Sequence, residues 1–349
     1  MRVVETISWD DDEKALTIID QTRLPEHFRL IRCRNLDRLI TAIRRLEVRG
    51  APALGVAGAY GVVLASRGIR EKEHSRFMRA LRIEATRTKN ARPTAVNLSW
   101  GVEMVMKSVE EAHSISGARE KAMETAREVA AADARACHDL GNFGASLLQE
   151  RCTILTHCNA GALACSEWGT ALGVVRSAVD CGKKVSVIAC ETRPLLQGAR
   201  LTAWELQRDG IPVTVISDSS AAFLMKQGEI DLIIVGADRI TPDAVFNKIG
   251  TYMHAICARH HSIPFYVAAP LSTFDPGRSA DEIVIEERGR EEIASCGNVT
   301  TIPDGVGVKN YAFDITPHDM VTAFITERGV LTTPIDWKEI ESAQKERKI

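Results

Sequence analysis

The sequence predicts an α/β fold: a C-terminal, Rossmann-like, doubly wound parallel sheet preceded by a mostly helical N-terminal domain that carries a small β-sheet. Two textures predict it. From about residue 151, short β-branched runs ("CTILTH", "KVSVIAC", "IPVTVIS", "DLIIVGAD", "IPFYVAA" and "EIVI") alternate with helical stretches, the mark of a parallel sheet buried on both faces. Before them, apolar residues recur at helical spacing. One domain is expected over residues 1–127 and a second, carrying the chemistry, over 128–349.

Within residues 1–25, "VVETISW" and "ALTIIDQT" alternate apolar and polar around an acidic "DDDEK", as a β-hairpin does. "LDRLITAIRRLEV" (36–48) reads as a helix that stops at Gly50, with Pro52 marking the next helix start. Helical patterns continue over 53–68, 70–90, 95–113 and 118–150. The tail "PIDWKEIESAQKERKI" is charged and amphipathic and offers little chemistry.

Composition narrows the function. In 349 residues, 44 basic and 46 acidic side chains are mixed along the chain for a net charge of −2, which argues against a nucleic-acid or membrane-surface binder. The longest uncharged run, "APALGVAGAYGVVLAS" (51–66), is shorter than the roughly 20 residues a spanning helix needs. It reads as a closely packed soluble helix. The charged start lacks the apolar core of a secretory signal, so a cytoplasmic protein is expected. Nine scattered cysteines without a CxxC pair indicate neither a disulfide framework nor a zinc ribbon.

The strand ends carry the residues suited to chemistry: Cys158, Glu191-Thr192-Arg193, Asp218 and Asp238. In doubly wound sheets ligands bind beyond the carboxyl ends of the strands. His157 and Cys158 would point to opposite faces of a strand and so form no nucleophile–base dyad. Asn159-Ala160-Gly161 reads as a turn feeding a helix N-terminus, whose amides stabilise anions. Cys158 thus stays open between core filler and activated thiol. Asp238 emerges from an aliphatic run, where desolvation would let it hold a proton; the alternative is a helix cap or an ion pair with Arg239. Asp218, opening a helical pattern, reads as a cap.

Anion-binding groups recur near helix starts. They are Arg49 beside the Gly50 turn, Arg92 in "ARPTA", and Asn247-Lys248 in "NKIGTY", read as the beginning of a helix. "HAICARHH" spaces His254, Cys257 and His261 along one helical face, but without a carboxylate a satisfied histidine is the commoner fate, so no metal site is expected. No GxGxxG lies at a strand–helix junction.

Taken together, "DQTRLP" (20–25), "RGAPALGVAGAYG" (49–61), "RPTAVNL" (92–98), "LTHCNAGALA" (155–164), "ETRPLLQGARLTAWEL" (191–206), "VGADRI" (235–240), "NKIGTY" (247–252) and "PFYVAAPLSTFD" (264–275) resemble the methylthioribose-1-phosphate isomerases. That family shares its fold with the regulatory subunits of translation initiation factor 2B and with ribose-1,5-bisphosphate isomerases. The resemblance implies a catalytic cysteine at Cys158, a catalytic acid at Asp238, and substrate contacts at Arg49, Gly50, Ala51, Arg92, Gln197, Asn247 and Lys248. Gln197 comes from the resemblance alone. Also implied are conversion of 5-methylthioribose 1-phosphate to 5-methylthioribulose 1-phosphate in methionine salvage, no metal or organic cofactor, and a homodimer. The competing expectations are an isomerase of ribose 1,5-bisphosphate or 5-deoxyribose 1-phosphate, and a non-catalytic regulatory subunit. The chain departs from the family pattern in two places. The loop after Asp238 reads "RITPDAVF" in place of an Asn-Gly turn, and Tyr311 in "KNYAFD" replaces a proline.

Overall fold

The computed structural model describes residues 5–297 and 299–346. The expected hairpin is formed by β1 (Ile7–Asp10) and β2 (Ala15–Ile19), in register from Ile7 opposite Ile18 to Asp10 opposite Ala15. Residues 3 and 4 of its expected first strand lie outside the described residues. A strand the pattern did not suggest, β3 (Leu30–Cys33), extends the sheet antiparallel to β2. Helix α1 (Leu36–Arg44) is capped by the Asn35 side chain on the Arg38 amide. It ends before residue 48, because Leu46 takes a left-handed φ of 58°.

Four more helices follow: α2 (Ala51–Gly68), α3 (His74–Lys89), α4 (Val96–Glu110) and α5 (Ile115–Ser146). Helix α2 has Pro52 in its first turn, as expected, and is buried from Ala53 to Ser66, so its apolar character is spent on protein neighbours on all sides. Its crossing with α4 is nearly backbone to backbone. A Cβ on Gly101 would lie 1.9 Å from the Gly55 carbonyl oxygen. That contact fixes α2 and hence the Arg49-Gly50-Ala51 corner at its start. Helix α5 is continuous through residues 127 and 128.

The second half holds β4 (Arg151–Thr156), α6 (Ala171–Asp180), β5 (Lys184–Cys190), α7 (Ala203–Asp209), β6 (Val213–Ile216), α8 (Ala221–Gln227) and β7 (Leu232–Val235). Then come β8 (Arg239–Ile240), β9 (Ala244–Lys248), α9 (Thr251–His261), β10 (Phe265–Ala268), α10 (Glu291–Ala294), β11 (Ser295–Cys296) and β12 (Val299–Thr300). The chain closes with β13 (Phe313–Pro317), β14 (Ala323–Thr326), β15 (Gly329–Leu331) and α11 (Trp337–Glu346).

The main sheet has the order β15-β14-β10-β7-β4-β5-β6 and is parallel except for β15. Alternate residues of one strand serve opposite cores. Leu155 of β4 packs with Ile233, α8 and α9, whereas Ile154 packs with Ile234, α5 and α6. From β4 the chain builds outward through β5 and β6, then returns to place β7 on the other flank of β4. The order reverses between β4 and β7, and a crevice opens at their carboxyl ends.

One expected strand is absent. "EIVI" does not join the sheet, because the place beside β10 belongs to fully buried β14, and Glu282 is drawn into a capping box with Ser279. No described helix is long and apolar enough to cross a membrane.

Candidate active site

Cys158 follows β4 and Asp238 follows β7, the two strands that flank the switch point. Both line one cleft together with Arg49, Gly50, Ala51, Arg92, Gln197, Asn247 and Lys248, so the residues implied by the resemblance meet there, whereas Glu191, Thr192, Arg193 and Asp218 do not line it. The cleft is partly open to solvent and is lined by polar and apolar groups alike.

Cys158 adopts φ 64°, so it has already left the strand. The separation of His157 from Cys158 therefore comes from this turn and not, as expected, from strand alternation. Its amide donates to Thr192 Oγ1 (2.8 Å) and its carbonyl accepts from Thr202 Oγ1 (2.7 Å), which fixes the half-buried thiol against the cleft.

The turn after it does not feed an α-helix. Ala162–Ala164 is a single 3₁₀ turn, and the Ala162 and Leu163 amides are taken by the buried Glu205 carboxylate (2.8 and 3.3 Å). Glu205 also accepts from Asn159 Nδ2 (2.8 Å) and from Arg176, which bridges it to Asp209. Those amides are thus spent on shaping the loop. The cation facing Cys158 is Lys248, which is near enough to interact with it electrostatically.

Asp238 is neither a cap nor Arg239's partner, since Arg239 pairs with Asp275 at 2.9 Å. Its amide donates to the Phe246 carbonyl (2.9 Å), locking it beside β9. Asp238 is partly buried and lines the cleft, in surroundings that strip water from its carboxyl. This desolvation raises its pKa above the ordinary carboxylate range against the opposing pull of Lys248, Arg92, Arg49 and Arg288.

Asn247 and Lys248 end β9 and do not begin a helix. β13 pairs with them, and α9 starts at Thr251 after Gly250 turns at φ 104°. Asp314 of β13 supplies the cap from outside, accepting from the Gly250 and Tyr252 amides (2.7 and 3.2 Å), and burial pushes its carboxyl up to about 6. Lys248 Nζ donates to the Ala312 carbonyl (2.8 Å) and lies over the Phe313 ring. Burial lowers its pKa.

Asp218 also differs from its expected role. It accepts from the Thr192 and Arg193 amides (2.7 Å each), holding the loop that bonds Cys158.

On the opposite wall, the Arg49 guanidinium bonds Gln21 and both oxygens of Asn159, including a short contact to Oδ1. Gly50, at φ 92°, presses so close to Ala164 that a Cβ would lie 2.5 Å from that residue's backbone. Gln197 is 5 % exposed and its Oε1 has no hydrogen-bond partner, so a buried acceptor stands ready on the cleft wall. Its "LLQGAR" setting carries no local signal; the unpaired oxygen appears only in the fold.

Sequence reasoning also missed Arg288 and Phe313, which line the cleft, and Glu286, whose carboxylate bonds both Arg92 and Arg288. "VIEERGREE" reads as a charged surface run, and nothing local marks its return to the site.

The histidine motif separates in the structure. His254 turns inward against His157 and Cys190, whereas Cys257 and His261 remain partly exposed. His157 Nε2 lies 2.8 Å from the Ile249 carbonyl and must donate to it. Its bare Nδ1 then accepts from His254 Nε2 at 3.2 Å. Burial holds both rings neutral, with pKa values lowered to about 4 and about 3 respectively.

Both unfolded-state histidines take protons below about 6.5 that the folded state refuses, so their contribution is present above 6.5 and lost as pH falls toward 4. His254→Leu is expected to flatten the fall in melting temperature between pH 6.5 and pH 4; an unaltered slope would show that this pair does not set it.

Comparisons with known proteins identify the family of the chain. The model of the initiation factor 2 subunit family matches residues 47–333. The methylthioribose-1-phosphate isomerase of Heliobacterium modesticaldum is 49% identical over 335 residues, 95% of this chain and 96% of that one. Among solved structures, 5-methylthioribose 1-phosphate isomerase from Pyrococcus horikoshii superposes with a TM-score of 0.89 at 40% identity, covering 99% and 97% of the two chains. A structure named as the delta subunit of translation initiation factor eIF-2B, from A. fulgidus, superposes with a TM-score of 0.85 at 51% identity, covering 95% and 96%. The chain belongs to the initiation factor 2 subunit family and, within it, to the methylthioribose-1-phosphate isomerases.

Proposed function

We propose that the chain is an aldose–ketose isomerase that converts 5-methylthioribose 1-phosphate to 5-methylthioribulose 1-phosphate, with Asp238 and Cys158 as its acid/base pair. The observation that carries this reading is the meeting of a desolvated carboxyl and a thiol across one switch-point crevice ringed by cations. A sugar with phosphate on its anomeric oxygen has no free aldehyde, so the ring must open before C1 and C2 can exchange oxidation state.

Asp238 gives its proton to the ring oxygen as the C1–O bond breaks, and the Cys158 thiolate removes the C2 proton. An enol phosphate results. Cys158 then returns a proton to C1 while the C2 hydroxyl gives its own to Asp238, leaving the ketose and restoring both groups. Arg49, Arg92 and the free amides at the start of α2 suit the phosphate. Gln197 and Asn247 suit the hydroxyls.

A second chamber opens off the cleft past Asp238 and Phe313, walled by Leu54, Pro93, Val96, Ile283 and Val284. Arg92 stands where this chamber joins the cleft, Arg239 is paired with Asp275, and Arg278 stands exposed at the rim. The apolar walls favour a methylthio group over a second phosphate at C5. Purified protein is expected to give its highest kcat/KM with 5-methylthioribose 1-phosphate; a higher value with ribose 1,5-bisphosphate or 5-deoxyribose 1-phosphate would reassign the substrate.

The initiation-factor name carried by the A. fulgidus structure favours a second reading, a non-catalytic regulatory subunit. Sugar-phosphate binding without turnover of any of the three would support it. A homodimer is part of our reading, supported by the exposed apolar side chains Phe223, Tyr252, Met253 and Ile256 on neighbouring α8 and α9.

A further inference from the structure

Arg288 stands on the segment between β10 and β13, and that segment is laced to the catalytic strands. Its amide donates to the Asn310 carbonyl and the Ala312 amide to the Glu286 carbonyl (2.8 Å each), while Glu287 bridges Tyr311. Ala312 in turn receives Lys248 Nζ and leads directly into β13. Arg288 is thus carried on the same framework as Lys248, although it lies forty residues further along the chain.

The Glu286 carboxylate divides its two oxygens. Oε1 accepts from Arg288 Nε (2.9 Å), and Oε2 accepts from Arg92 (3.3 Å) and Thr94 Oγ1 (2.9 Å) on the N-terminal side of the cleft. One acid therefore fixes two arginines that lie nearly two hundred residues apart in the chain. The side chains of Arg288, Arg92 and Glu286 are only 11, 16 and 21 % exposed, so this is not a solvated surface pair. Burial pushes the Glu286 carboxyl up, but Arg92, Arg288 and Thr94 outweigh it and hold it below its ordinary value, ionised at neutral pH.

Arg288 lines the cleft, and with Nε engaged its two terminal nitrogens remain for a ligand, apart from a long 3.6 Å approach to Glu292. Without Glu286, two guanidiniums beside Lys248 would repel one another and swing outward. With it, both are anchored on one carboxylate at the wall of the same cleft, where a phosphate dianion could meet them.

We propose that Arg288 is a further phosphate-binding residue of this site and that Glu286 is the positioning residue holding Arg288 and Arg92 ready for it. The proposal rests on the sugar-phosphate reading above. It extends that reading to a part of the chain with no recognisable anion motif.

The test is calorimetric binding of inorganic phosphate beside steady-state kinetics with 5-methylthioribose 1-phosphate, using the full chain. Arg288→Gln is expected to weaken phosphate binding by about tenfold or more and to raise KM more than it lowers kcat. Glu286→Gln keeps the carbonyl acceptor but loses the charge, and is expected to raise KM severalfold in the same pattern. Exposed Glu287→Gln, between them, should leave phosphate affinity within twofold of wild type.

Wild-type phosphate affinity and KM in Arg288→Gln would overturn the proposal. If that variant fails to fold, Arg288→Lys, which keeps the charge and loses the fork, is expected to bind phosphate more weakly; wild-type affinity there would overturn it equally. Phosphate binding without turnover by the wild type would remove the isomerase reading and leave the Arg288 comparison intact.

Discussion

Asp238→Asn is expected to lower kcat by about a hundred- to ten-thousandfold, the range over which a positioned general acid contributes. The amide preserves size and hydrogen-bonding reach but cannot give a proton to the ring oxygen. Phosphate binding should persist, because Arg49, Arg92 and Lys248 do not depend on the Asp238 proton.

The sign of the pH dependence follows from the raised pKa. Asp238 acts in its protonated form, so wild-type kcat/KM should decline as pH rises through that pKa. The same shift means that the folded state binds this proton more tightly than the unfolded chain does. Its stabilising contribution is full below about 3.8, the unfolded value, and is lost as pH rises through the folded pKa. At neutral pH Asp238→Asn should therefore fold at least as stably as wild type, while losing turnover. A variant that kept the wild-type rate would remove Asp238 from the mechanism.

Cys158→Ala carries the second large effect. Without the thiol the adjacent His157 offers no replacement base, since its ring is turned to the Ile249 carbonyl and His254. Loss of kcat by at least a thousandfold is expected, with sugar-phosphate affinity little altered. Cys158→Ser should recover almost none of the rate, because a hydroxyl is a far weaker acid than a thiol. A decrease of less than tenfold in Cys158→Ala, measured by the same assay, would return Cys158 to the role of loop filler.

The sheet was legible because its strands are continuous aliphatic runs bounded by polar ends. "TILT" and "LIIV" can be little else, and the ligand-bearing crevice follows from the order of such strands. Legibility failed where a residue's neighbours come from far along the chain. Asn247 and Lys248 sit before a good helix and locally read as its start, but pairing with β13, some sixty residues later, makes them strand. "EIVI" has strand composition, yet β14 outcompetes it for the edge of β10. Asp218 looks like a cap by sequence spacing, and only the fold brings the Thr192 and Arg193 amides to it.

Within the site, Cys158 and Asp238 could be flagged locally as polar groups at apolar strand ends. Gln197, Glu286 and Arg288 could not be. Their meaning lies in an unpaired oxygen and in a carboxylate shared across the cleft, both products of tertiary packing.

The pairing of Cys158 with Asp238 is tested most directly by following the C2 hydrogen. A direct hydride shift from C2 to C1 would bypass the thiol altogether, whereas proton abstraction places that hydrogen on a sulfur that exchanges with cleft water. With substrate deuterated at C2 and turned over in ordinary water, mass spectrometry of the ketose is expected to show loss of part of the label to solvent. The reciprocal reaction in D₂O should place deuterium at C1. Complete retention of the C2 label, with no solvent deuterium at C1, would contradict the assignment of Cys158 as the base.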